Sequence, residues 1–557
     1  MTPPAEIIIE NGRVLTMDGA QPRAEAVALA EGRILAVGTR AAVEAHAGLG
    51  TERIDARGGT VLPGFIESHI HLFAGGAQLD SLSLAGLTGF DRIAAAIRER
   101  ADQEPEVQLL LVEQAAYSMF GGAEPISRQL LDRILPGRPL ALFASDHHTM
   151  WANTAALQAA GLLQGRATPP GSEVVMGSDG LASGELREFE GFAPVFALAP
   201  TGGREMLGLV GREPATPPTA AQRAVDRAVM ERGLAACASL GITSFHNMDG
   251  NRYQLELLDE IDRVAPLPVR ARVPFRLLPD MEPEALEVAV AMRDHWSSDR
   301  LKSDFVKIFM DGVIESTTAF LLQDYCGMPG HRGSAFFSEE EFAAVAVAAD
   351  RLGFQIAVHA IGDAAVRRTL NGYEAARRRN GRRDSRHRVE HIEMLDPADL
   401  PRFAELGLIA SMQPTHAPGG AYPMEPIASL IGHERLLTAY AWQTLRQSGA
   451  RMAFSGDWPV ASLDPLLGIA TAVSRLPIVE GAPSQRQSLA DALTSFTIDG
   501  AYASFEEGRK GVLRPGAMGD VAVLTGDIEA VPGAEIAVIK VAATLCEGRI
   551  TYRRAVP

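Results

Sequence analysis

The apolar positions of this chain fall in short runs closed by Gly, Pro or charged residues, not in long uninterrupted spans. Leu62-Pro-Gly-Phe-Ile-Glu-Ser-His-Ile-His-Leu72, Phe305-Val-Lys-Ile-Phe-Met-Asp-Gly312, Phe354-Gln-Ile-Ala-Val-His-Ala-Ile-Gly-Asp363, Arg388-Val-Glu-His-Ile-Glu393 and Met452-Ala-Phe-Ser-Gly-Asp-Trp-Pro459 read as buried parallel strands. Between them lie segments of Ala-rich helical periodicity, as from Glu339 to Leu352. Strand then helix, repeated, predicts an α/β protein built on a (β/α)8 TIM-like barrel, in which reactive groups gather at the carboxyl ends of the strands.

Both ends of the chain carry a different pattern. Ile7 to Leu15, Val27 to Leu35 and Ala543 to Thr551 each place an acid or Asn, then Gly, then Arg between β-rich arms, which predicts three hairpins. With Gly519 to Leu524 they predict a small β-sandwich made from residues 1–61 and 508–557, leaving 62–507 for the barrel. The span between His71 and Gly241 is longer than a first crossover needs and is punctuated at Gly121-Gly122, Pro169-Pro-Gly171 and Pro217-Pro218. It predicts an inserted α/β subdomain at about 75–220, after the first barrel strand. The strand-like Leu140 to Ser145 is assigned to this insert, and Val269 to Leu278 to the third barrel strand. Such an insert leans over the rim and sets substrate choice through Tyr117, Met119, Phe120, Phe189, Phe192 and Phe196. The competing expectation is that Phe189 to Phe196 form its own core.

Candidate chemistry sits where the apolar runs end. His69 and His71 are separated by one residue, so on a strand both imidazoles face one side and can grip one metal ion. Lys307, His359, His391 and Asp457 close four later runs. The surrounding words PGFIESHIHL, VKIFMDG, VHAIGD, RVEHIE, MQPTHA and GDWPV, with DHHTMWANTAAL and GITSFHNMDG, run along essentially the whole chain. Together they resemble the amidohydrolase superfamily and, within it, amidohydrolase family 3, the YtcJ-like group that includes N-substituted formamide deformylases.

That resemblance implies two divalent ions, expected as zinc with manganese, iron or cobalt as alternatives. His69, His71 and Asp457 would hold one, His359 and His391 the other, and an N6-carboxylated Lys307 and a hydroxide would bridge them. A lysine within a buried strand suits this role, because desolvation lowers its pKa from about 10.4 and frees the amine. Asp457 is the expected catalytic residue, accepting the proton of the attacking hydroxide and passing it to the leaving nitrogen. The implied function is metal-dependent hydrolysis of a non-peptide C–N bond in a small N-substituted amide or formamide. A metal-dependent ester or lactone hydrolase is the alternative, since the same nucleophile attacks an ester carbonyl. A non-catalytic ligand-binding scaffold is a second. Hydrolytic deamination is disfavoured by Lys307, because superfamily deaminases commonly lack the bridging lysine.

Expected substrate contacts are His148, Trp151, His246, Gln413, His416 and Glu315, with Asp146, Asn153 and Asn247 beside them. Each has a plainer reading, as a group orienting a ligand or a helix cap. Two departures from the family pattern stand out: Asp146-His147-His148 replaces a common Asp-Gly-His, so the loop there is expected to differ. Gly312-Val-Ile-Glu-Ser316 is bulkier than usual after the lysine strand, which makes Glu315 a candidate for specificity.

Composition narrows the class. A 557-residue chain, 46% hydrophobic and 22% charged, can bury a large core. A net charge of −17 argues against nucleic-acid or anionic-membrane partners. With no bilayer-length apolar run and no basic leader at Met1 to Glu6, a cytoplasmic location is expected, with a homodimer as the assembly. Cys237, Cys326 and Cys546 are too scattered for a disulfide framework.

Overall fold

Parallel strands in chain order organise the computed structural model, which describes residues 3–121, 125–145, 147–169, 172–419 and 423–555. The first strand, Phe65–Ile70, pairs with the second, Ile242–Asn247, which pairs with Arg270–Arg272. Phe275–Arg276 then pairs with the fourth strand, Phe305–Phe309, followed by Gln355–Ala360, Arg388–His391, Ile409–Met412 and Arg451–Phe454. An isolated parallel bridge between Ile70 and Trp458 links the end of the last run back to the first strand. Nearly every residue of these strands is buried, which explains their continuous apolar composition.

The third strand differs from the uninterrupted run expected over Val269 to Leu278. It is split into Arg270–Arg272 and Phe275–Arg276. Pro274 stands in the gap and has no N–H to give a ladder, so pairing passes from one neighbour to the other there. Helices such as Arg252–Val264, Glu339–Arg351 and Asp363–Asn380 return the chain between strands. The helix expected from Glu339 begins at a capping box, with the Ser338 hydroxyl accepting from Glu341 N and the Glu341 carboxylate accepting from Ser338 N.

The N-terminal residues form one further sheet by themselves and share a second with the C-terminal ones. Arg33–Gly38, Ala26–Ala30, Ala5–Glu10 and Ala47–Asp55 form one, in that order. Arg549–Arg553, Val541–Cys546, Val521–Leu524, Thr60–Pro63, Arg13–Leu15 and Arg23–Ala24 form the other. Ile9, Val27 and Leu29 of the first share a core with Val61, Val521 and Leu545 of the second. Two of the three expected hairpins form, at Glu31-Gly32 and Glu547-Gly548, each with both turn residues at positive φ. The first does not: Ala5–Glu10 and Arg13–Leu15 part into different sheets at Asn11-Gly12. A Cβ on Gly12 would stand 2.7 Å from Val61 Cγ2, so the close approach to strand Thr60–Pro63 needs glycine.

The chain divides into two compact units, one of Met1–Leu72, Gly208–Glu213 and Glu231–Pro557, the other of Phe73–Leu207 and Pro214–Met230. The second has its own mixed sheet, in the order Glu173–Met176, Ala182–Arg187, Thr149–Ala152, Leu140–Ala144, Leu110–Ala115 and Leu82–Ser83. Phe192 and Phe196 are buried within it and meet Phe143 edge-on at 5.4 and 5.2 Å, as core residues. Among the described residues no helix is long and apolar enough to cross a membrane.

Candidate functional site

Register and backbone strain together build the cluster at the strand ends. Phe309, His359 and Glu390 are lateral partners on adjacent strands, so their side chains share one face with Lys307, two residues back from Phe309. Simple alternation would send His391 to the opposite face from Glu390. Left-handed backbone at His391 (φ 74°) and Ile392 (φ 50°) re-aims it at the strand's end. Asp457 is likewise left-handed, at φ 61°. Gly456 before it has no alternative, since a Cβ would lie 2.1 Å from Ser462 O.

His69, His391 and Asp457 present ligand atoms all within 4.8 Å of one another. Asp457 Oδ1 lies 3.3 Å from His69 Nε2 and 3.2 Å from His71 Nε2. Asp457 Oδ2 lies 3.9 Å from His391 Nδ1 and 3.8 Å from His416 Nε2. The His359 ring meets the His391 ring at 4.5 Å and stacks on Phe309 at 4.7 Å. All five of His69, His71, His359, His391 and Asp457 are buried, as is Lys307 at 0% exposure.

Buried partners on the far nitrogens settle which face of each ring points inward. Glu390 Oε2 is 2.9 Å from His69 Nδ1, and Asp249 Oδ1 is 2.9 Å from His71 Nδ1. A carboxylate only accepts, so each ring donates its Nδ1–H to that acid and turns Nε2 toward Asp457. Gln413 Oε1 lies 2.9 Å from His391 Nδ1, the nitrogen that is also 3.9 Å from Asp457 Oδ2, and Gln413 Nε2 donates to Ser455 Oγ at 2.9 Å. His359 Nε2 faces the Gly312 carbonyl at 3.2 Å.

Lone pairs gathered around a carboxylate oxygen repel unless something positive sits among them. Burial lowers the His71 pKa, yet hydrogen bonds to Asp249 and Asp457 carry it up to about 9. Burial opposes ionisation of Asp457, but the surrounding imidazoles hold it well below the usual carboxylate range. For His69 burial wins and brings the ring down to about 4. Burial also pulls Lys307 down to about 7, and among the described residues its Nζ has no hydrogen-bond partner, lying 4.8 Å over the Phe309 ring. Two inward-facing Nε2 atoms, a buried carboxylate and an unpartnered amine fit a divalent cation better than they fit each other.

Glu390, Asp249, Glu393 and Tyr440 escaped the sequence reading. The three acids each stand beside a motif histidine in space and Tyr440 beside Glu393, and only the acid at the strand end, two residues on from Arg388 or His391, gave a signal. Glu390 also takes Arg388 bidentately, at 2.8 and 3.0 Å, with both side chains fully buried. Glu393 Oε2 accepts from Tyr440 Oη at 2.9 Å, and Glu393 Oε1 lies 3.5 Å from His416 Nδ1. Burial opposes a charged His416, while Glu393 and Asp457 raise its pKa.

The other expected contacts are distributed. His246 Nδ1 accepts from Arg388 Nη1 at 2.8 Å in the interior. Asn247 accepts from Leu72 N and donates to Asp249, so it braces the partner of His71. Glu315 is half-buried, and its charge bears on His416 and Tyr440. His148 and Trp151 belong to the second unit, where His148 Nδ1 is 3.0 Å from Glu188 and Trp151 meets Tyr117 edge-on at 4.9 Å. Asn153 is a helix cap, accepting from Ala156 N at 2.9 Å. Asp146 lies outside the described residues. His147 does not avoid glycine-like backbone as expected: it adopts φ 62°, which His tolerates more often than most side chains.

This α/β fold of parallel strands is shared with solved structures: an uncharacterized metal-dependent hydrolase from Pyrococcus horikoshii superposes with a TM-score of 0.72 at 22% identity, covering 95% of this chain and 99% of that one. Residues 52–552 match the model of the amidohydrolase family, and the chain belongs to it. It is 31% identical to the Arabidopsis thaliana protein LONG AFTER FAR-RED 3 over 94% of this chain and 88% of that protein. It is 29% identical to the putative amidohydrolase YtcJ of Bacillus subtilis, over 98% and 99% of the two chains. An N-substituted formamide deformylase from Arthrobacter pascens is 26% identical over 100% and 99%.

Proposed function

We propose that this hydrolase cleaves a non-peptide C–N bond in a small N-substituted amide, of the formamide type, on a (β/α)8 barrel flanked by a β-sandwich of residues 1–61 and 508–557. The observation that carries the reading is Asp457: a buried carboxylate whose Oδ1 is faced by two histidine Nε2 atoms, each with its Nδ1 held by an acid. His69, His71 and Asp457 would hold one divalent ion, His359 and His391 a second, with Lys307 between them. Bound there, such ions supply Lewis acidity and bring the pKa of water down to about 7.

The residues divide the remaining work. A Lys307 pKa of about 7 keeps much of the amine uncharged at neutral pH, the form that combines with CO2 to give a carbamate. Glu390, Asp249 and Gln413 hold the three imidazoles in fixed tautomers, so little reorganisation accompanies binding. Asp457 has one oxygen turned to His69 and His71 and the other toward His391 and His416, which lets Oδ1 keep its ligand role while Oδ2 carries a proton to the leaving nitrogen. Similarity to the formamide deformylase supports the amide class.

Metal analysis of the purified protein, followed by turnover of N-benzylformamide and aryl amides, tests the reading. Asp457→Asn is expected to lose at least about 100-fold in kcat. Undiminished turnover of every amide by that variant would refute the proton-carrying role.

A further inference from the structure

One arm of the site is not needed to hold a metal ion. Tyr440 Oη donates to Glu393 Oε2 at 2.9 Å, Glu393 Oε1 stands 3.5 Å from His416 Nδ1, and His416 Nε2 stands 3.8 Å from Asp457 Oδ2. Glu393, His416 and Tyr440 are all buried, at 6, 8 and 2% exposure. They come from three separate segments: one past the strand Arg388–His391, one in the turn Pro414–His416, and one after the helix Ile427–Leu436. Tyr440 N also donates to Glu393 O at 2.8 Å, so backbone and side chain both tie that segment down. Tyr440 takes φ 50°, a left-handed strain shared with His391, Ile392 and Asp457. Strain of this kind costs roughly 1–3 kcal/mol per residue and persists where surroundings over-determine the backbone.

Asp457 presents its two oxygens to different company. Oδ1 faces His69 and His71, and Oδ2 faces His391 and His416. We propose that His416 is the residue that contacts the leaving nitrogen of the substrate, and that Glu393, held by Tyr440, is its positioning residue. This rests on the amide-hydrolase reading, in which Asp457 delivers its proton to that nitrogen. An atom hydrogen-bonded at about 2.9 Å to both Oδ2 and Nε2 fits across a 3.8 Å separation. A neutral His416 with Nδ1–H on Glu393 accepts the N–H of a secondary amide at Nε2, which leaves the nitrogen lone pair to the proton from Asp457 once the carbon is tetrahedral. An ester oxygen has no proton to give and leaves without prior protonation. His416 therefore selects N-monosubstituted amides over the matching esters.

The test pairs N-benzylformamide with benzyl formate, which differ only in the leaving atom. In the metal-loaded enzyme, His416→Gln is expected to lose about 100-fold or more in kcat/KM on the amide. On the ester it should lose less than about 10-fold, with metal content unchanged. Tyr440→Phe, which removes one hydroxyl and spares the fold, should lower the amide-to-ester ratio by about 2- to 10-fold. Added to His416→Gln it should have no further effect, since it acts only through that ring. An unchanged ratio in both variants overturns the assignment, as does loss of metal from His416→Gln, which would make the ring a metal ligand. Hydrolysis of neither probe by the wild-type enzyme overturns the reaction class and takes the assignment with it.

Discussion

Glu390→Gln is the sharpest perturbation of the site that leaves every candidate ligand in place. The carboxylate is fully buried and accepts from His69 Nδ1 at 2.9 Å and from Arg388 Nε and Nη2 at 2.8 and 3.0 Å. Glutamine keeps the shape but has one acceptor oxygen for these donors, and its NH2 must face either the imidazole or the guanidinium, donor against donor. Removing one partner of a buried ion pair costs roughly 3–5 kcal/mol. Arg388 keeps three other acceptors, Ser68 O, Ser411 Oγ and His246 Nδ1, so the lower end of that range is expected. Loss of the carboxylate also frees the His69 ring to turn or to change tautomer, and partners of this kind are worth about 10- to 100-fold in metal affinity. The assay is competition for metal against a chromophoric chelator, run beside thermal denaturation. The expected outcome is weaker metal binding by at least about 10-fold together with a lowered melting temperature. Metal affinity within about twofold of wild type, with Arg388 and the fold undisturbed, would show that the tautomer of His69 is set by something other than Glu390.

Two further outcomes follow from the geometry. Lys307→Ala should lower the metal stoichiometry measured by elemental analysis and regain part of it when a short-chain carboxylate is added, since the cavity left by the amine can take that anion; unchanged stoichiometry would remove Lys307 from the centre. Asp350, away from the site, is held at about 2: burial opposes this, but His387, Asn380 and Arg383 bond the carboxylate. A carboxyl at about 2 in the folded chain and about 3.9 in the unfolded one contributes roughly 2–3 kcal/mol above about pH 4, and loses it as pH falls toward 2. The destabilisation by Asp350→Asn in denaturant melts should therefore be full at neutral pH and shrink on acidification, and a loss that does not change with pH would contradict this account.

The ligand candidates were legible because a histidine, lysine or aspartate in or just past a buried apolar strand is conspicuous among its neighbours, although Lys307 lies in the middle of Phe305–Phe309 and Asp457 three residues past Arg451–Phe454. The capped helix from Ser338 and the turns at Gly32 and Gly548 were equally open to reading, since their causes are local. Folding decided the rest. Folding brought Glu390 against His69 although their strands do not pair, and pairing of Phe65–Ile70 with Ile242–Asn247 placed Asp249 beside His71, 321 and 178 residues away in sequence. Pro274 split a strand that periodicity joins, and Asn11-Gly12 sent two arms of one apparent hairpin into separate sheets. The Tyr440, Glu393 and His416 arm has no signature in any one segment, for an electrostatic or hydrogen-bonded partner acts through distance in space. Sequence spacing reports that distance only where the backbone is regular, and here left-handed residues at His391, Ile392, Tyr440 and Asp457 break the regularity at the positions that aim the chemistry.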